Sequence, residues 1–238
     1  MDVQLILIVA AFSIIQSVFG MGLLVFGTPT LLLMGYPFAA VLSILLPPSL
    51  TISAIQLFRQ ERQQKRFAVD LLTFCLPILV LALAWTFISH YKVNLRSLIA
   101  AVLIFTAVSR FSSRISGYLR RIIENNSRKY LLVMGCVHGL SNMGGSLLSA
   151  YAVTRHQMKQ DVLGCIVTGY LLFGIVQLGT LHYVNALNLN ATTFACCTAA
   201  AAVYLLVGNR LFKSLNEQFY QHIFSAFMLV YAALMIFL

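Results

Sequence analysis

Charged residues in this chain are gathered into short clusters separated by long apolar runs. No Lys, Arg, Asp or Glu occurs in the 56 residues 3–58, and further uncharged runs cover 130–154 and 162–209. A helix needs about 20 apolar residues to cross a bilayer, so the chain holds about seven or eight spans. Reading between charges predicts apolar segments at 3–18, 23–34, 38–58, 69–89, 97–109, 130–153, 162–181, 191–208 and 219–238. Several are interrupted. Gly20-Met21-Gly22 and Gly27-Thr28-Pro29 break the first stretch, Pro47-Pro48 the third segment, and Gly139 with Gly144-Gly145 the sixth. The fold class this predicts is all-α, a polytopic membrane protein.

The order of features is the same in both halves. Each begins with a glycine-rich break inside an apolar segment, then a short polar connection, a span and two more spans. Gly20 pairs with Gly139 at an offset of 119, and Gln56 with Gln177 at 121. An internal duplication follows, with residues 1–128 as the first repeat and 129–238 as the second.

The basic loops orient the repeats. If segment 130–153 is a hairpin that returns to its own side, 14 Lys and Arg lie on one face of the membrane and 2 on the other; a single pass there gives 10 against 6. Cytoplasmic loops carry the excess of Lys and Arg, so the hairpin is preferred. With a matching hairpin in the first half, each repeat is a broken helical hairpin plus three transmembrane helices. The odd number of crossings then inverts the second repeat relative to the first. Both termini fall outside the cytoplasm.

A break inside a bilayer exposes backbone N–H and C=O groups at several kcal/mol each, so it survives only inside protein or beside a wet cavity. Helix N-termini at such breaks present N–H groups and a positive dipole end to an anion. The candidate substrate site therefore comprises Gly20, Met21 and Gly22 in the first break, and His138, Ser141, Asn142, Gly144 and Gly145 in the second. Gln56 and Gln177 join it as costly buried amides related by the repeat. His138 is a candidate donor to an anion or a proton carrier. Packing by small residues explains any one of these glycines equally well. Asp70 reads as a helix cap.

Composition narrows the chemistry. Only 9% of residues are charged, against about 25% in soluble domains. The net charge of +10 sits in loops between spans, which points to membrane topology and away from nucleic acid. The five cysteines all lie in apolar segments with no CxxC pair and read as small packing residues. No Asp or Glu stands in the middle of a span, which disfavours a carboxylate relay or a cation site. No metal cluster, nucleotide-binding loop or Gly-x-Ser-x-Gly is present, so no cofactor, metal or catalytic residue is expected. His156 and Asp161 have the His-x4-Asp form of membrane acyltransferases. A membrane enzyme built on them, or a structural membrane subunit, is the alternative to a transporter.

Phe19-Gly20-Met21-Gly22, Pro29, Met34-Gly35-Tyr36-Pro37 and Gly139-Leu140-Ser141-Asn142-Met143-Gly144-Gly145 resemble the sulfite exporter TauE/SafE family of membrane transporters. Length, repeat plan and basic central loop extend the likeness over the whole chain. Leu23-Leu24-Val25 stands where more glycine is common in that family. The resemblance implies secondary transport of sulfite, an organosulfonate or a related sulfur-containing anion across the bacterial inner membrane. The expected partners are the small anion and the lipid bilayer, with a homodimer left open.

Overall fold

A computed structural model describes residues 2–59, 64–89, 94–214, 230 and 233. The last expected span, 219–238, lies almost wholly outside the described residues. Those described form helices joined by short turns and loops, without strands. Four helices are long and apolar enough to cross a membrane: Phe38–Phe58, Lys65–Ile88, Lys159–Tyr183 and Ala191–Phe212. The shorter apolar helices Val3–Phe19, Gly22–Leu33 and Leu95–Thr106 complete the apolar set.

In chain order the elements are α1 (Asp2–Phe19), α2 (Gly22–Leu33), α3 (Phe38–Phe58), α4 (Lys65–Asp70), α5 (Leu76–Ile88), α6 (Leu95–Phe111), α7 (Ser113–Asn125), α8 (Ser127–Ser141), α9 (Gly144–Arg155), α10 (Lys159–Tyr183), α11 (Ala191–Val203) and α12 (Asn209–Ser214). A π turn, Leu71–Cys75, joins α4 to α5, and another, Tyr204–Gly208, joins α11 to α12. The first lies just before Pro77, whose missing N–H and ring bulk an α-helix absorbs poorly. Pro47 and Pro48, by contrast, lie inside α3, which continues through them. Asp70 lies within the continuous helix Lys65–Ile88, so it is not the expected cap.

α1 and α2 run antiparallel. Phe12 faces Phe26 across the pair with ring centroids 6.3 Å apart, and Leu23 N–H donates to Gln16 Oε1. α8 and α9 do the same: the Tyr130 hydroxyl donates to Leu147 O at 2.7 Å, and Gly144 N–H to His138 Nδ1 at 3.1 Å. Both breaks are thus the tips of helical hairpins. The second tip is Asn142-Met143; Gly139 lies inside α8, against Leu79 O of α5.

The halves are cross-packed. α8 lies against α5 and its π turn, while α1 lies against α11 and its π turn. α3 packs on α10 and α11, and α10 on α3 and α5. Each hairpin is therefore embraced by spans of the other half.

The two ends of the bundle differ in charge. At one end Arg59 stacks over Tyr204, Lys159 donates to Phe212 O, and Arg155 donates to Ile123 O of α7. α7 carries Arg114, Arg120 and Arg121, with Arg120 paired to Glu124 at the exposed surface. The opposite end holds the Phe38–Phe87 stack and the Asn188 N–H bond to Ser43 Oγ.

Candidate functional site

The two hairpin tips share one local design. Gly20 and Asn142 have left-handed backbones, with φ 76° and 62°. Each donates its N–H back four residues, Gly20 to Gln16 O and Asn142 to His138 O. Glycine takes this conformation freely, and asparagine is among the few other residues that tolerate it. A methionine follows, Met21 or Met143, and then the glycine that starts the next helix, Gly22 or Gly144. The structural offset is therefore 122, three more than the glycine pairing of the sequence suggested. At this offset Gln16 corresponds to His138, and each caps a first-turn N–H of the helix after the tip.

The first cluster is built on Gln16. Its Nε2 donates to Ser49 Oγ at 2.9 Å and Ser49 O at 3.0 Å, and Ser53 Oγ is 3.4 Å away. Gln56 approaches the same hairpin and donates to Ser17 O at 3.0 Å. The second cluster joins Asn142, Gln177 and Thr28. Asn142 Nδ2 donates to Thr28 Oγ1 at 2.8 Å, and Gln177 Nε2 to Asn142 Oδ1 at 3.2 Å. Ser141 receives the Met143 N–H on its hydroxyl. Of the expected site residues, Asn142 and Gln177 are thus joined, while Gln56 stays with the first hairpin; the link between the halves runs from Asn142 to Thr28 of α2, which was not among those expected.

The tips do not oppose each other at one level. A Cβ at Gly20 would lie 2.8 Å from Ile166 Cγ2, whereas Asn142 bonds Gln177. Along α10 those two positions are separated by about 16 Å, at about 1.5 Å per residue. The hairpins overlap, and Tyr170 stands between the tips. Its hydroxyl is 3.5 Å from Met21 O, and a Cβ at Gly145 would fall 1.6 Å from it. Phe173 packs on the His138 ring at 4.2 Å between centroids.

Several glycines in the site are fixed by packing. A Cβ would come within 2.4 Å of Gln16 N at Gly22 and of His138 Cβ at Gly144. One N–H at the first tip, of Leu23, and two at the second, of Met143 and Gly144, are already bonded to protein side chains. What remains unsatisfied is on side chains. Because His138 Nδ1 accepts from Gly144, the neutral ring carries its proton on Nε2. Gln177 faces the ring as its hydrogen-bonding neighbour, although His138 Nε2 and Gln177 Oε1 fall short of full hydrogen-bond geometry, and Gln56 Oε1 has no partner among the described residues. His138, Asn142 and Gln177 are fully buried, so the site is closed to solvent in this conformation. A buried polar atom without a partner is costly, and Gln56 Oε1 and the loosely paired His138 and Gln177 all lie around the hairpin tips.

The family model for "Sulfite exporter TauE/SafE" matches residues 5–235, nearly the whole chain. The chain belongs to the TauE/SafE family. It is a multi-pass membrane transporter and not an enzyme, with a small anion as the substrate class. No curated protein and no solved structure matches it.

Sequence reasoning missed Gln16 and Tyr170 as parts of the site. Gln16 was legible as the counterpart of His138, six residues before the helix-starting glycine in each half. Tyr170 carries no signal of its own in a span of apolar residues. His156 and Asp161 lie near the basic end of the bundle, away from the tips, at the junction of α9 and α10.

Proposed function

We propose that this TauE/SafE protein moves sulfite, an organosulfonate or a related sulfur-containing anion across the bacterial inner membrane as a secondary transporter. The basic end of the bundle faces the cytoplasm and both termini face the periplasm. Residues 1–128 and 129–238 act as inverted repeats, and the substrate binds where the hairpin tips overlap. The observation that carries this reading is the fully buried polar cluster at the second tip, where His138 and Gln177 face each other beside Asn142 without reaching full hydrogen-bond geometry. An anionic oxygen accepts from the His138 Nε2–H, and rotation of the adjacent amides turns their N–H groups toward the same charge. Gly20, Met21 and Gly22 approach from the other hairpin, and Gly144 and Gly145 bring the start of α9. Neutral donors alone hold the anion, so binding is weaker than at a site with a paired guanidinium.

The test is flux in proteoliposomes with sulfite, thiosulfate, sulfoacetate and taurine, alongside binding to purified protein. Asn142→Ala and Gln177→Ala are each expected to weaken binding of the transported anion about tenfold, the worth of one hydrogen bond to a charged group. Unchanged binding in both single variants and in the double variant removes the site from the hairpin tips. Loss of flux on His156→Ala with Asp161→Ala, in folded protein, favours the membrane-enzyme reading.

A further inference from the structure

A cavity of about 400 Å³ opens at the basic end of the bundle, well away from the hairpin tips. It lies between the start of α4, the base of the α8–α9 hairpin and the α9–α10 turn. Arg66, Arg128, Arg155 and His156 line it, with Ser127 and Tyr151 among its hydroxyls. Asp70 is its one carboxylate among the described residues. Arg66, Arg128 and Arg155 have no carboxylate partner among the described residues.

Two of these guanidiniums are held in place by uncharged groups. Arg128 stacks over the Phe74 ring at 5.1 Å, and Arg155 donates to Ile123 O at 3.0 Å and lies over Tyr151 at 5.7 Å. Snorkelling side chains extend freely toward water; these converge on a shared space with their charge unneutralised. The inner wall is aromatic. Phe67 and Tyr151 are 5.3 Å apart between centroids, and Tyr151 and Tyr130 6.2 Å. From Ser127 to His138 the distance along α8 is about 16 Å, at about 1.5 Å per residue. Tyr130, Leu131 and Met134 fill that length and are buried. The cavity is therefore separate from the hairpin site in this conformation.

We propose that this cavity is a second anion site, which takes a molecule headed by a tetrahedral oxyanion of the sulfonate or phosphate type. Guanidinium is the group suited to bidentate recognition of such oxyanions. Three guanidiniums exceed what Asp70 neutralises, and the Ser127 and Tyr151 hydroxyls add neutral donors. The volume lies in the range of ligand pockets, about 300–1,000 Å³, so the head group binds with an organic part attached. That part belongs either to a water-soluble sulfonate or phosphate ester, or to an anionic lipid whose head group enters from the membrane surface. This site does not depend on the hairpin tips being the transport site.

The experiment measures binding to the full-length protein in neutral detergent by titration calorimetry, with ethanesulfonate and glycerol phosphate as soluble probes. Retention of phosphatidylglycerol against phosphatidylcholine is followed in parallel by native mass spectrometry. Wild type is expected to bind at least one of these anionic probes. Arg66→Gln, which removes a side chain with no other partner among the described residues, is expected to weaken that binding about tenfold, and Arg66→Gln with Arg128→Gln further still. Arg66→Lys restores part of it. Arg121→Gln, at an exposed position of α7 outside the cavity, leaves it unchanged, and the loss in Arg66→Gln, remote from the hairpin tips, separates this site from them. Soluble-probe binding identifies a solute site, and selective phosphatidylglycerol retention lost in the arginine variants identifies a lipid site. Equal binding of all probes by wild type and by folded Arg66→Gln and Arg128→Gln, or no binding by wild type, overturns the proposal.

Discussion

At the scale of single residues, the contact between Gly145 and Tyr170 is the tightest constraint on the site. The hydroxyl occupies the space a Cβ would need at position 145. Gly145→Ala therefore has to displace the Tyr170 ring from between the hairpin tips, an overpacking expected to cost about 1–3 kcal/mol. Thermal unfolding in detergent should show the loss, and Gly145→Ala combined with Tyr170→Ala should recover part of it. Additive losses in the double variant would mean that the two positions are not in contact. His156 provides a second residue-scale expectation. Burial holds its pKa below the ordinary histidine value and Arg155 pushes the same way, while Asp161 opposes them. Arg66, Asp70 and Arg128 also face the cavity it lines. The ring is neutral at pH 7, and its folded-state pKa is depressed, so any stabilisation it contributes is present above the unfolded value of about 6.5 and is lost as pH falls. A bound anion favours the protonated ring. Anion binding in the basic cavity should therefore be flat from pH 7 to 8 and strengthen toward pH 5, and His156→Gln should flatten the acid limb.

At the scale of elements, glycines and π turns set how closely the helices approach. A Cβ at Gly135 of α8 would lie 2.3 Å from Cys75 O, at the end of the first π turn. A Cβ at Gly208, at the end of the second, would lie 2.2 Å from Ser17 Cβ of α1. In each half a π turn thus meets the first helix of the other half's hairpin across a glycine. Gly135→Leu and Gly208→Leu should both separate these pairs, and a fall of several degrees in unfolding temperature, or loss of folded yield, is the outcome to measure. Wild-type stability in both would mean that the helices part there without cost. The spans themselves were plain in the sequence, because a charge-free run of apolar residues has few other uses. The position of the second break was not. Glycine pairing drew it to Gly139, whereas the chain turns at Asn142, whose side chain tolerates a left-handed backbone that sequence pattern alone rarely assigns to asparagine. Proline placed breaks that the helices do not have. α3 runs through Pro47-Pro48, and Pro29 lies well inside α2 instead of breaking it. The polar clusters were partly legible: Gln56, Asn142 and Gln177 stood out as buried amides, but Gln16 and Tyr170 acquire their roles only once the hairpins fold back.

At the scale of the whole molecule, the grouping of Arg59, Arg66, Arg128, Arg155 and Lys159 at one end agrees with the charge asymmetry of the loops. Cysteines introduced at Gly35 and Asn188 should react with an impermeant maleimide from the periplasm, and those at Ser127 and Gln157 only after the inner membrane is opened. Labelling of positions 127 and 157 from opposite sides would contradict a hairpin that returns to its own face.

The cross-packing of the halves also bears on how the chain is made. As it emerges from the ribosome, the first hairpin enters the membrane before α11, the helix that will flank α1, has been synthesised. Its polar groups at Gln16 find Ser49 and Ser53 within their own half, whereas the Thr28 hydroxyl waits for Asn142. α8, by contrast, arrives after α5 is already in place and docks at once. The second half is therefore assembled against a finished surface, and its spans in turn close over the first hairpin. The overlap of the two tips therefore exists only once both halves are present, and a product that ends before Asn142 lacks it.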